Sequence, residues 1–363
     1  MKAILLSLTF FGMAATALAT VHTVSNDPAT VAQFSNLQTA IDAAASGDTL
    51  FVHGSPTIYT GVTWADKKLV IIGPGFAPDK ELTATAKIAG ITIRNTAADG
   101  SSSGTELNGL VLTGQLNVSD GFSGSQPVNN LLIQRCEFKS TLRIGTAGGG
   151  YGNYLFEGNY FNGSGVDNGN QSGSTFSNFI WRNNVFRNAL NGRCFGFFEN
   201  TANMLVDHNL FYTSNSSLTV FVTCSSFLVT NNVFLKSNAA GASNSVFNNN
   251  LTFNTPNNTP WAVNNNVDGG GNVSNLDPQM ADQTNINNGV DNPLLDFTIA
   301  AGPANASGSD GKDMGLLFDA TSTANWANSR NSRLPRVTKM NILNPTVAPN
   351  GTLNVQVEAK VSN

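Results

Sequence analysis

Between residues 130 and 234 the chain repeats one order of polar and apolar positions five times. The units are Asn130–Phe138, Asn153–Phe161, Asn178–Phe186, Asn203–Phe211 and Ser226–Phe234. Each has one polar residue, three apolar ones, two variable ones, an Asn, a spacer and a Phe, with Cys136 in the Asn place of the first unit. The phenylalanines recur after 23, 25, 25 and 23 residues, and a degenerate sixth unit follows at Ser245–Asn250. A helical repeat of this length needs two helices, which the density of Gly, Asn and Ser opposes. Apolar runs of three or four residues that end in Asn, Gly or Ser are short strands. A coil of about 23 residues holding two or three such strands is one rung of a β-solenoid, and rungs stack about 4.8 Å apart.

Stacking places equivalent residues over one another. Phe138, Phe161, Phe186, Phe211 and Phe234 are expected to form an inward aromatic column. Asn159, Asn184, Asn209, Asn232 and Asn250 are expected to form an amide ladder at a corner, where Asn also tolerates the left-handed conformation. The middle residues of the triplets, Leu132, Leu155, Ile180, Leu205 and Leu228, point outward by alternation. An aliphatic stripe on a surface implies cover by a loop or the C-terminal tail, or a contact with another chain.

Upstream, Leu69–Gly73, Gly90–Arg94 and Asn108–Thr113 fit the same scheme with looser spacing, giving about nine or ten rungs and a rod roughly 40–45 Å long. Gly/Ser-rich stretches at 99–104, 145–152 and 163–174 read as loops on one side of the rod. Leu37, Ala40, Ile41 and Ala44 form the apolar face of a short helix that Gly47 ends. The tail after Arg333 alternates in β fashion, with Leu353, Val355 and Val357 on one face.

Composition narrows the setting. Met1-Lys2, an apolar run from Ile4 to Ala17 and a small-x-small site at Ala17–Ala19 read as a secretory signal peptide over residues 1–19. No later stretch is long and apolar enough for a membrane helix, so the mature protein is expected to be soluble, without a transmembrane anchor, and exported to the surroundings, periplasm or cell surface. Only 12% of residues are charged, the formal net charge is −4 and no basic block occurs, which argues against nucleic acid as a partner. Cys136, Cys194 and Cys224 are an odd number without metal-ligand spacing; they read as buried core thiols, or as one Cys194–Cys224 disulfide and a free thiol.

The segment Ser35–His53, with its Gly47-Asp48-Thr49 turn, resembles the start of pectin-lyase-like β-helices, where a short amphipathic helix covers the open end of the solenoid. Asp66–Gly75 is similar to that family's second rung. Asn275–Gln279, Leu295–Ile299, Ala301–Ala304 and Gly308–Gly315 are similar to a closing module of exported bacterial β-helix proteins, many of them from the Bacteroidetes. The expected fold is therefore all-β: a single-stranded right-handed parallel β-helix with an N-terminal capping helix and a C-terminal closing module. The expected divisions are 20–75 for the cap and first rungs, 76–297 for the β-helix, 298–332 for the closing module and 333–363 for a hairpin tail. The resemblance implies no single activity, because this fold carries lyases, hydrolases, epimerases and non-catalytic surface proteins.

Elimination on a uronic acid needs a base and a cation, Arg or Ca2+, beside the substrate carboxylate. Hydrolysis needs two carboxyls roughly 5–10 Å apart. Two columns offer such groups. Arg143, Asp167 and Arg193 follow the phenylalanine turn at nearly one phase, with Glu199 further along, and two arginines beside glycine-rich loops suit an acidic sugar. Glu157, Arg182 and Asp207 follow the triplets and read as a surface ladder of alternating sign. His208 reads as a surface histidine. Asp310 and Asp313 around Gly311, and the run 167–170, are candidate Ca2+ loops that read equally well as structural turns. No catalytic residue is assigned. Two readings follow: an exported protein that binds and processes an extracellular polysaccharide by lyase or hydrolase chemistry, and a non-catalytic β-helix for adhesion or envelope scaffolding.

Overall fold

The apolar triplets and the Asn-x-Phe steps form two of the three strands of each rung. In one representative coil, Thr175–Arg182 is followed by Val185–Arg187 and Arg193–Gly196. The computed structural model describes residues 19–76, 84–97, 100–119, 125–145, 148–162, 165–169, 173–187, 193–199, 201–214, 219–319, 325–326, 335–344, 346–347 and 350–361. The signal-peptide stretch lies outside them, apart from Ala19. Among the described residues the strands assemble into parallel sheets of eleven, eight and seven strands, called here A, B and C. Together they make a parallel β-helix of about nine turns.

Pairing registers set the columns. In sheet A, Leu132, Leu155, Ile180, Leu205, Leu228 and Val246 lie side by side in successive strands. In sheet B, Phe138, Phe161, Phe186, Phe211 and Phe234 do the same. Their rings stack at centroid distances of 4.7, 4.5, 4.9 and 4.8 Å, close to the strand spacing. A second inward stack in sheet A runs through Phe156 and Trp181, with centroids 3.7 Å apart and ring planes almost parallel. At the N-terminal end, helix α1 (Leu37–Ala43) is capped by Asn36, whose side chain accepts from the Thr39 amide, and buries Leu37, Ala40 and Ile41 against the first strands.

The Asn ladder sits at the corner between sheets A and B. Asn159, Asn184, Asn209, Asn232 and Asn250 are all fully buried. Each Oδ1 accepts from the amide of the preceding rung, as Asn184 does from Asn159 and Asn209 from Asn184, both at 2.9 Å. The left-handed conformation expected of these residues belongs instead to the residue before each: Gly158, Asn183, His208, Asn231 and Asn249 have φ of 66, 55, 50, 57 and 49°. The ladder Asn is thus held by its amide bonds, and its neighbour makes the bend. A second, exposed ladder precedes the triplets. Asn153, Asn178 and Asn203 each donate to the Asn one rung earlier at 2.9–3.0 Å, with their own backbones left-handed.

After the last sheet A strand, Val267–Asp268, the chain turns back. Met280, Ile286, Phe297, Ile299, Met314, Leu316 and Trp326 pack on the outward column Tyr160, Val185, Leu210, Val233 and Leu251 of sheet B, reaching Phe76 near the start. The closing module therefore covers a flank. Its grip is the left-handed corner column: Asn183 accepts from the Leu317 amide, the His208 ring contacts the Gly315 carbonyl, Asn231 accepts from the Ser309 amide and Asn249 donates to the Ser307 carbonyl. The tail forms an antiparallel hairpin, Pro335–Ile342 with Val355–Val361.

Glu137 lies on the same flank, 6% exposed, with Lys139 2.9 Å away. Burial raises its carboxyl above the ordinary value, and Lys139 opposes this. The unfolded chain ionises first, near pH 4.3, so this group removes stability as pH rises from there through its folded value. Glu137→Gln is expected to raise the melting temperature at pH 7 and to leave it unchanged below about pH 4. A lower melting temperature at pH 7 would show that the Lys139 pair outweighs the burial.

Candidate functional site

The sheet C column brings three of its four candidate residues together. Arg143 and Asp167 are register partners on adjacent strands. Asp167 pairs next with Gly196, not with Arg193. Arg193 starts its strand three residues earlier, yet its Nη2 reaches Asp167 Oδ2 at 2.8 Å. Gly196 makes this possible, because a Cβ there would lie 2.5 Å from Arg193 Nε. Gly169 leaves room for Arg143 in the same way: a Cβ there would stand 3.2 Å from Arg143 Cδ and Nε. Arg143 Nε lies 3.5 Å from Asp167 Oδ1, which also accepts from the Gly169 amide at 2.8 Å. The carboxylate is buried while the Arg143 side chain is 43% exposed. Arg193 also lies over the Phe197 ring, 4.8 Å from its centroid. Two guanidinium groups thus share one carboxylate on the outer face of sheet C, and a positive excess faces outward. Glu199 stands apart: it is exposed, and its carbonyl accepts from Ser225 Oγ at 2.7 Å. Among the described residues its carboxylate forms no ion pair with either arginine.

The second column does not form a continuous ladder. Arg182 gives Nε and Nη2 to Glu157 Oε1, and Gln134 gives Nε2 to Oε2 at 2.8 Å. Glu157 is almost fully buried by this and belongs to the scaffold. Asp207 takes its hydrogen bond from Asn231 at 3.0 Å, not from Arg182. Burial raises its carboxyl, with His208 and Asn231 pulling the other way. His208 departs from the surface placement expected of it: its ring is 2% exposed, covered by the closing segment.

The Asp310 and Asp313 carboxylates bond within their own loop, to the amides of Lys312 and Ala306, as a structural turn does. Of the run 167–170, Asn170 lies outside the described residues, and Asp167 is committed to the arginines. Among the described residues no three His, Cys, Asp or Glu side chains are gathered as a ready metal-binding set. All three cysteines are buried and none is in a disulfide, so the Cys194–Cys224 bridge is not formed. Burial pushes the Cys136 and Cys224 thiols up to about 12, which leaves them as small core groups.

One groove was visible in the sequence only as a stripe. On the outer face of sheet A, Ile180, Leu205, Leu228 and Val246 line a depression of about 530 Å3, bordered by Asn178 and Asn203. Ile180 and Leu228 are 36% and 42% exposed, so the cover expected for this stripe is not found among the described residues. No family model and no curated protein matches this chain. Among the described residues no helix is long and apolar enough to cross a membrane.

Proposed function

We propose that the chain is an exported, pectin-lyase-like β-helix protein that binds an acidic extracellular polysaccharide along the outer face of sheet C. The observation that carries this reading is the pair Arg143 and Arg193, drawn to one side of the rod by the buried Asp167. The carboxylate hydrogen-bonds Arg193 and pairs more loosely with Arg143, so two positive charges face one negative charge. Preformed arginines bind carboxylates through paired N–H donors, which uronic acids supply. Export rests on the charged start, apolar run and small-residue site of residues 1–19.

No reaction is assigned to this face. Hydrolysis needs an acid and a second carboxyl across the bond, and here one carboxylate is already held by two arginines. A non-catalytic role in adhesion or scaffolding is the second reading, and the open aliphatic groove of sheet A favours it. The test is an Arg143→Ala/Arg193→Ala double variant. It is expected to keep the wild-type circular dichroism and to lose acidic-oligosaccharide binding at least about tenfold, or about 1.4 kcal/mol. Equal affinity in variant and parent would transfer the weight to the scaffold reading. A screen for new reducing ends and for unsaturated-product absorbance separates binding from hydrolysis and lyase activity.

A further inference from the structure

Outside the sheet C face, one histidine and two carboxylates converge at the corner that the closing segment covers. His208 turns the corner between sheets A and B with a left-handed backbone, φ 50°. Its Nδ1 lies 3.1 Å from the Gly315 carbonyl. A carbonyl only accepts, so Nδ1 is the donor in this contact and Nε2 is the ring nitrogen left to meet another partner. That Nε2 is fully buried and has no hydrogen-bond partner. It faces Asp310 Oδ2 at 3.4 Å and Asp207 Oδ1 at 4.0 Å. One buried, unpartnered ring nitrogen thus stands before two carboxylates. Arg182, the register partner of Asp207, is engaged with Glu157.

We propose that His208, Asp207 and Asp310 bind a divalent cation of the zinc class, which clips the closing segment to the solenoid. The donor set is one imidazole and two carboxylates, which suits zinc-like ions and not the all-oxygen shell that Ca2+ takes. Two ligands about 2.1 Å from one ion at a tetrahedral angle stand about 3.4 Å apart. His208 Nε2 and Asp310 Oδ2 already have that separation, and Asp207 needs to close by roughly half an ångström, within reach of a side-chain rotation. The Nδ1–carbonyl contact is the outer hydrogen bond that metal-bound imidazoles make, fixing the ring with Nε2 toward the ion. Asp310 is 41% exposed, which leaves the fourth position open to water. The clip would join the rung carrying 207–208 to a loop about a hundred residues later in the chain.

The experiment is calorimetry and thermal melting of the chelator-stripped full chain with ZnCl2 and, separately, CaCl2 at neutral pH. One Zn2+ per chain with a raised melting temperature is expected, and no response to Ca2+. Asp310→Asn keeps the Oδ1 that accepts from the Lys312 amide, so the metal-free melt should not move, while Zn2+ binding weakens at least about tenfold. His208→Asn should abolish it. The proposal is overturned by an absence of Zn2+ binding at about 1 mM, by Ca2+ binding as tightly, or by wild-type affinity in Asp310→Asn, which would place the ion elsewhere.

Discussion

Replacing Phe186 by Ala is expected to cost about 3–5 kcal/mol of folding stability. The ring is buried between Phe161 and Phe211, 4.5 and 4.9 Å away, and is also met by Phe195 at 5.0 Å. Alanine leaves a ring-sized void in the middle of the stack. Neighbouring rungs cannot collapse into it, because strand pairing fixes their spacing. The loss falls in the centre of a one-dimensional array, so both interfaces of that rung weaken together. Chemical denaturation of the variant checks this. Ile180→Ala is the internal reference: that side chain is 36% exposed, and its truncation should have a much smaller effect. Similar losses for the two would mean that the inward and outward phases have been exchanged.

A second large effect is expected at the buried amide ladder. Asn184 Nδ2 donates to the Phe156 carbonyl and to Asn209 Oδ1, each at 3.0 Å. Its Oδ1 accepts from the backbone and side chain of Asn159, at 2.9 and 3.0 Å. In Asn184→Asp the donor becomes an oxygen facing two other oxygens, and a charge enters a fully buried site. A loss of at least about 3 kcal/mol at pH 7 follows from the broken bonds and the buried charge. The sign with pH is fixed by the same contacts. Burial among carbonyls raises the folded-state value of the new carboxyl, so its destabilisation grows as pH rises from the unfolded value and shrinks below about pH 4. Melts of parent and variant at pH 4 and pH 7 should therefore converge at the lower pH. A constant gap would show that the charge is not what destabilises.

The solenoid was legible because its strongest constraints are local and repeated. A Phe or Asn that must stack on itself every rung leaves a period in the chain, and five copies of it predicted the columns seen here. The helix over the open end was legible for the same reason, as a 3.6-residue apolar face around Leu37, Ala40 and Ile41. Features used once leave no period. The closing segment meets sheet B through contacts more than a hundred residues apart, such as Asn183 with Leu317, and no local pattern encodes them. His208 looked like a surface residue because its equivalents, Arg135, Gly158, Asn183 and Asn231, share only the need for a left-handed bend. The column that bends the corner is also the one that grips the closing segment, and only the fold-back reveals that. Arg193 was placed on the right face by its approximate phase, while its reach to Asp167 depends on the missing Cβ of Gly196. Glu199 shared the rung but not the direction, because the chain turns the corner after Gly196.

The arginine face of sheet C is proposed to recognise acidic sugar. Its most direct test is a calorimetric titration of the full chain with acidic and neutral oligosaccharides of equal length, at low and at about 0.3 M salt. Saturable binding of the acidic chain, weakened by salt as exposed charges are screened, with no binding of the neutral one, is the expected result. Equal binding of both, or no binding of the acidic chain at low salt, would contradict it.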